Sequence, residues 1–154
     1  VLLAASLKIG ARLGGASVED ADRLYDFGMH IGVAFQLKDD LLDVYGNAKV
    51  FGKNIGGDIL CNKKTYMLIK ALEHANADQH NQLNSWINAE TFQPAEKIAA
   101  VTELYDRIGV KAVCENKILE YSNRAMESLA AVSIAEEKKE ELKKIIENLI
   151  HREV

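Results

Sequence analysis

Proline is almost absent from the 154 residues: Pro94 is the single example, where average usage would give roughly eight. A chain so poor in proline, with almost no β-branched alternation, is predicted to form long helices and no sheet. Cysteine is nearly as scarce. Cys61 and Cys114 lie far apart, with no Cys-x-x-Cys pair and no histidine pair beside them, which argues against a disulfide framework or a structural zinc site and fits reduced thiols of a cytoplasmic protein. A basic excess is missing too. Nineteen Lys and Arg against twenty-three Asp and Glu leave a net charge of −4, so nucleic-acid binding through clustered phosphate contacts is not expected. No apolar run approaches the ~18 residues of a membrane span, and no signal-peptide n-region opens the chain.

What remains is the composition of a soluble globular domain, 48% hydrophobic and 27% charged, long enough to bury a core as one domain over residues 1–154. Val1 enters helix-like sequence at once, and the chain is expected to start inside a larger structure. Val1 to Leu13 reads as a helix end closed by Gly14 and Gly15. Ser17 is a candidate N-cap for a second helix, with Glu19 and Asp20 in a first turn that the macrodipole favours. That helix carries Leu24, Phe27, Ile31, Phe35 and Leu42 as an apolar stripe and continues to about Tyr45, with Gly28 and Gly32 permitting a close neighbour or a bend. Gly46 to Asp58 holds four glycines and reads as the principal loop. Helical pattern resumes over Lys63 to about Ala77. Asn76 to Asn84 reads as a linker or solvated helix, and Ala95–Ile108, Val110 to about Val132 and Glu136 to about Ile150 as three more helices. The Glu/Lys run from Glu136 to Glu141 is expected to form a solvated, ion-paired face.

The informative segment is Phe35-Gln36-Leu37-Lys38-Asp39-Asp40-Leu41-Leu42-Asp43. At about 100° per residue, Asp39 and Asp43 share a face, Asp40 is next round, and Gln36 lies one turn before. Carboxylates this close repel, so a cation is expected among them. Oxygen-only donors without histidine suit a hard ion, and Mg²⁺ takes a few carboxylates together with water and substrate phosphate. The loop that follows supplies cations: Lys53 after Gly52, then Lys63 and Lys64 after Asp58. Glycines let backbone approach an anion and lysine partners phosphate as a point charge, so an acidic helix followed by a basic, glycine-rich loop points to metal plus phosphate. Of the two neighbouring lysines, Lys63 is expected to face the carboxylates and Lys64 the solvent. Scattered histidines without Glu-x-x-His disfavour a di-iron bundle, and the aspartate spacing is not that of an EF-hand.

The order Phe35-Gln36-x-x-Asp39-Asp40-x-x-Asp43, Gly52-Lys53, Gly57-Asp58 and Lys63-x-Thr65 resembles the second aspartate-rich region of the trans-polyprenyl diphosphate synthases. The resemblance implies the C-terminal half of an all-α bundle of the isoprenoid synthase type, a homodimer, and Mg²⁺-dependent head-to-tail addition of isopentenyl diphosphate to an allylic diphosphate. It further implies that Asp39, Asp40 and Asp43 hold Mg²⁺, that Lys53 and Lys63 bind the allylic diphosphate, and that Gln36 lines the pocket. Phe35 would contact prenyl groups, and Asp58 would partner the lysines or metal-bound water. The family's earlier aspartate-rich motif and its paired arginines are not in these 154 residues. The chain alone is therefore expected to lack turnover, and a non-catalytic partner subunit that modulates a prenyl synthase is the alternative. Asn62 stands where a glycine is common.

Overall fold

All regular structure in the computed structural model is helical among the residues it describes, 1–46 and 55–151 with the side chains of Ile150 and His151 excepted. In chain order the helices are α1 (Leu2–Leu13), α2 (Val18–Tyr45), α3 (Gly57–Leu60), α4 (Tyr66–His74), α5 (Ala77–Ile87), α6 (Pro94–Ile108), α7 (Val110–Ala130) and α8 (Glu140–His151). A 3₁₀ turn, Glu136–Lys138, precedes α8. The chain divides into two compact units. One comprises Val1–Lys38 with the segment from Lys117 to the end of the described residues, the other Asp39–Asn116. The boundaries fall inside α2 and α7, so each of these helices contributes to both units.

In the first unit, α2 starts where the sequence predicts: the Ser17 hydroxyl accepts the Asp20 N–H at 3.0 Å, with Glu19 and Asp20 in the first turn. Phe27, Ile31, Ala34 and Leu37 are buried on α2, and Ile118, Ala125 and Leu129 on α7. Gly28 lets α1 approach closely, since a Cβ there would lie 2.6 Å from the Ala4 Cα; Gly32 has no such neighbour. Asp20 ties the turn after α7 to α2 by accepting the Ser133 N–H at 2.9 Å, a bond that holds its carboxyl below the ordinary aspartate range.

In the second unit, α6 packs against α3, α4 and α5. Its core gathers Leu41 and Leu42 from α2, Ile59, Met67, Leu68, Leu83, Val101 and Leu104. Pro94 opens α6 at a position where a missing N–H costs nothing. Two helix starts differ from the sequence reading, and between them the choice of linker or helix after Asn76 is decided. Helix α4 begins at Tyr66, not Lys63, because the Thr65 hydroxyl caps it by accepting the Leu68 N–H at 3.2 Å. The polar stretch after Asn76 is a well-formed helix, started by a reciprocal box between Asn76 and Gln79 and anchored by buried Leu83. In the first unit, α8 begins at Glu140, since Lys139 turns inward to 2% exposure and donates to the Ala130 carbonyl at 3.0 Å and to Glu136 at 2.8 Å. The run expected to be wholly solvated thus sends one lysine into the interior.

Candidate functional site

The last two turns of α2 carry Asp39, Asp40 and Asp43 into the second unit. Asp40 is buried because its neighbours Leu41 and Leu42 take the helix inward, while Asp39 and Asp43 are partly exposed. Asp43 meets the start of α3. Its Oδ2 accepts the Asp58 N–H at 2.9 Å, and its backbone carbonyl accepts the Gly56 N–H at 2.6 Å. Gly56 takes φ 85°, and a Cβ there would come within 2.6 Å of Ile98, so only glycine fits this entry to α3. Burial pushes the Asp43 carboxyl above the ordinary aspartate range, and the Asp58 charge adds to this; the Asp58 and Gly57 amides and the Lys63 charge oppose it.

Lys63 emerges from the turn after α3, where its N–H donates to the Asp58 carbonyl at 2.9 Å. The Lys63 ammonium bridges two carboxylates, donating to Asp58 Oδ2 at 2.7 Å and to Asp40 Oδ1 at 3.0 Å. These bonds hold its pKa above the ordinary lysine range, the Asp58 bond being the larger cause. Lys64 is exposed. Of the two lysines, Lys63 therefore faces the carboxylates as its sequence position suggested, although it stands before the helix and not in its first turn.

The expected site residues are brought together unequally. Asp40, Asp58 and Lys63 meet directly, and Asp43 joins them through the Asp58 backbone. No three His, Cys, Asp or Glu side chains converge on one point among the described residues. Mg²⁺ does not require that, since one or two carboxylates with water and phosphate oxygens complete its shell. The all-oxygen donors Asp39 and Asp40, beside a carboxyl whose charge burial disfavours, fit such an ion. Lys53 lies in 47–54, outside the described residues. Phe35 and Gln36 belong to the first unit and are exposed. Phe35, 48% exposed, departs from the buried stripe predicted for it and lines an apolar groove of about 500 Å³ with Leu3, Ile31, Ile145, Asn148 and Leu149.

Sequence reasoning missed Lys97. It stands on the apolar face of α6, four residues before Val101 and seven before Leu104, and is 1% exposed. A lysine in phase with a buried stripe was the available signal. Its ammonium donates to Asn62 Oδ1 at 2.8 Å. With Asn62, Thr65, Leu83, Val101 and Tyr105 it borders a cavity of about 20 Å³, enough for one water.

Residues 1–105 match the family model described as Polyprenyl synthetase. The chain is 33% identical over 152 residues to the short chain isoprenyl diphosphate synthase of Methanothermobacter thermautotrophicus, covering 99% of this chain and 46% of that enzyme. A crystal structure of a geranylgeranyl pyrophosphate synthase superposes with a TM-score of 0.91 at 33% identity, covering 100% of this chain and 48% of that one. Another, from Corynebacterium glutamicum and complexed with isoprenyl diphosphate and magnesium, gives a TM-score of 0.82 at 31% identity over 93% of this chain and 40% of that one. The chain thus spans about half the length of the curated relatives it matches.

Proposed function

This chain belongs to the polyprenyl synthetase family, and we propose that it supplies the diphosphate-gripping part of a trans-polyprenyl diphosphate synthase, which joins isopentenyl diphosphate head to tail with an allylic diphosphate. The observation that carries the reading is the Lys63 ammonium held between Asp40 and Asp58 at the end of the aspartate-bearing helix. A fixed cation beside carboxylates offers both halves of what a metal–diphosphate complex needs. Mg²⁺ is the ion inferred, and when bound it neutralises charge developing on the leaving diphosphate.

The roles of the chain's own residues follow from their settings. Asp39 and Asp40 hold the ion, directly or through its waters. Asp43 keeps α3 docked by accepting the Asp58 amide, so that Asp58 can hold the Lys63 ammonium. Lys63 and Lys53 bind the diphosphate oxygens. Departure of diphosphate leaves an allylic cation, and the alkene of isopentenyl diphosphate attacks its carbon before a proton is lost. These steps require charge stabilisation and exclusion of water, not a covalent nucleophile. Phe35 at the apolar groove suits contact with a prenyl chain, and Gln36 precedes the carboxylates by one helical turn. A homodimer in the cytoplasm completes the reading; its support is the family.

Segment exchange tests the proposal. These 154 residues replace the matching 152-residue region of the Methanothermobacter enzyme, and prenyl products are measured with both diphosphates and Mg²⁺. Elongation by the folded hybrid is expected, as is the lack of turnover by the 154 residues alone, which carry one aspartate-rich motif and no arginine pair. A folded hybrid that forms no product overturns it.

A further inference from the structure

Buried Lys97 and half-buried Asn62 form a pair that the proposed chemistry leaves unused. An ammonium held away from water needs its donors satisfied. The partners of Lys97 are the Asn62 amide oxygen at 2.8 Å and the face of Phe92, whose ring centre lies 4.2 Å from the Nζ. Asn62 is in turn held at its other end, its Nδ2 donating to the Ile87 carbonyl at 2.9 Å. Its backbone is left-handed, φ 51°, the one non-glycine residue of this kind among the described residues. Asparagine tolerates that conformation better than most residues but does not prefer it as glycine does. Lys63 is the next residue, so the dihedral angles at Asn62 set the direction in which its side chain leaves the backbone.

We propose that Lys97 is a positioning residue for Lys63: anchored in the interior by α6, it clamps the Asn62 amide so that the left-handed turn directs the Lys63 ammonium to Asp40 and Asp58. The consequence for ligand binding rests on the reading of Lys63 as a diphosphate ligand; the geometric claim does not. A glycine at this place would reach the same φ unaided. The clamp is thus the counterpart of having asparagine there.

The test uses Lys97→Met, Asn62→Gly, Asn62→Ala and the Lys97→Met/Asn62→Gly double variant of the 154-residue chain. One readout is the rate at which trinitrobenzenesulfonate labels Lys63 relative to Lys64, followed by peptide mass spectrometry. The other is affinity for inorganic pyrophosphate in the presence of Mg²⁺. Lys97→Met should speed Lys63 labelling about fivefold or more and weaken pyrophosphate binding about tenfold, the scale of one hydrogen bond to a charged group. Asn62→Ala, which keeps Lys97 but strains at positive φ, should do the same. Asn62→Gly should keep both readouts within about twofold while lowering the melting temperature, because it strips Lys97 of a partner. The double variant should match the parent in labelling, since neither the amide nor the ammonium remains. Unchanged labelling in Lys97→Met overturns the proposal, and so does a double variant as reactive at Lys63 as Lys97→Met, which makes the effect general core damage. If Lys97→Met does not fold, Asn62→Ala decides, and unchanged labelling in it overturns the proposal equally. The expected labelling pattern in chains that bind no pyrophosphate would keep the positioning role and overturn the diphosphate reading instead.

Discussion

Replacing Lys63 by alanine separates two effects that a simple loss of charge would merge. In the resting chain the ammonium contacts Asp58 at 2.7 Å and Asp40 at 3.0 Å. Hydrogen bonds to charged groups contribute about 1.5–3 kcal/mol each when protected from solvent. The Lys63 side chain is 44% exposed, so each pair is discounted to about 1 kcal/mol or less by screening. Removing the cation leaves Asp40 and Asp58 less compensated, and Mg²⁺ alone should bind the variant more tightly, by roughly threefold, about 0.7 kcal/mol. Pyrophosphate presented with saturating Mg²⁺ should bind less tightly, by roughly ten- to a hundredfold, because an ammonium partner of the anion has gone. Lys64→Ala, an exposed lysine, should stay within about twofold for both ligands. Titration calorimetry of the two variants at one ionic strength reads these numbers. Because the partners of Lys63 raise its pKa, the stabilisation from this ammonium is fully present below the ordinary lysine value and is lost only as pH rises through the higher folded value. Parent binding should therefore show no lysine break between neutral pH and that of free lysine. Weakening by Lys64→Ala equal to that by Lys63→Ala, or opposite signs for the two ligands failing to appear, would refute the reasoning.

In the segment-exchanged enzyme, Asp39→Ala should lower kcat by about 10²–10³ with a smaller change in KM, because the metal acts on charge that develops as diphosphate leaves; a variant keeping a third of the parent kcat removes Asp39 from the site. Gly28→Ala should destabilise the chain by about 1–3 kcal/mol, since its Cβ would meet the Ala4 backbone at 2.6 Å, whereas Gly32→Ala, with open space around it, should stabilise α2 by roughly 0.5–1 kcal/mol; urea unfolding of the pair compares them directly. Glu136 is held to a pKa of about 2 by hydrogen bonds from Lys139 and then Lys143, so its contribution is present above the ordinary glutamate range and lost as pH falls toward 2. Glu136→Gln should flatten the melting temperature against pH in that window, and a slope equal to that of the parent would contradict this.

The aspartates of α2 were legible because helical spacing alone puts Asp39, Asp40 and Asp43 on neighbouring faces, and the Ser17 cap followed from equally local chemistry, whereas the preference for Lys63 over Lys64 rested on the spacing from Asp58 and on the family resemblance at Lys63-x-Thr65. Helical periodicity carries back through Lys63, but Thr65 is a local N-cap residue that outweighs it. The Thr65 cap and the left-handed Asn62 set the boundary instead. Phe35 reads as part of a stripe and is exposed, since periodicity identifies an apolar face without saying what covers it. Lys139 reads as one charge in a solvated run, yet the Ala130 carbonyl nine residues earlier draws it inward.

By itself, the sequence determined the helical class, the course of α2 and the placing of its aspartates on neighbouring faces, because capping, periodicity and charge spacing act within a few residues of one another. Tertiary structure alone decided which oxygens face which cation. Asp43 accepts an amide fifteen residues on, Asp40 meets an ammonium twenty-three residues on, and Lys97 reaches back thirty-five residues to Asn62. Contacts at such separations depend on how α2, α3 and α6 pack within their unit, where burial forces each polar group to find a partner wherever the fold supplies one.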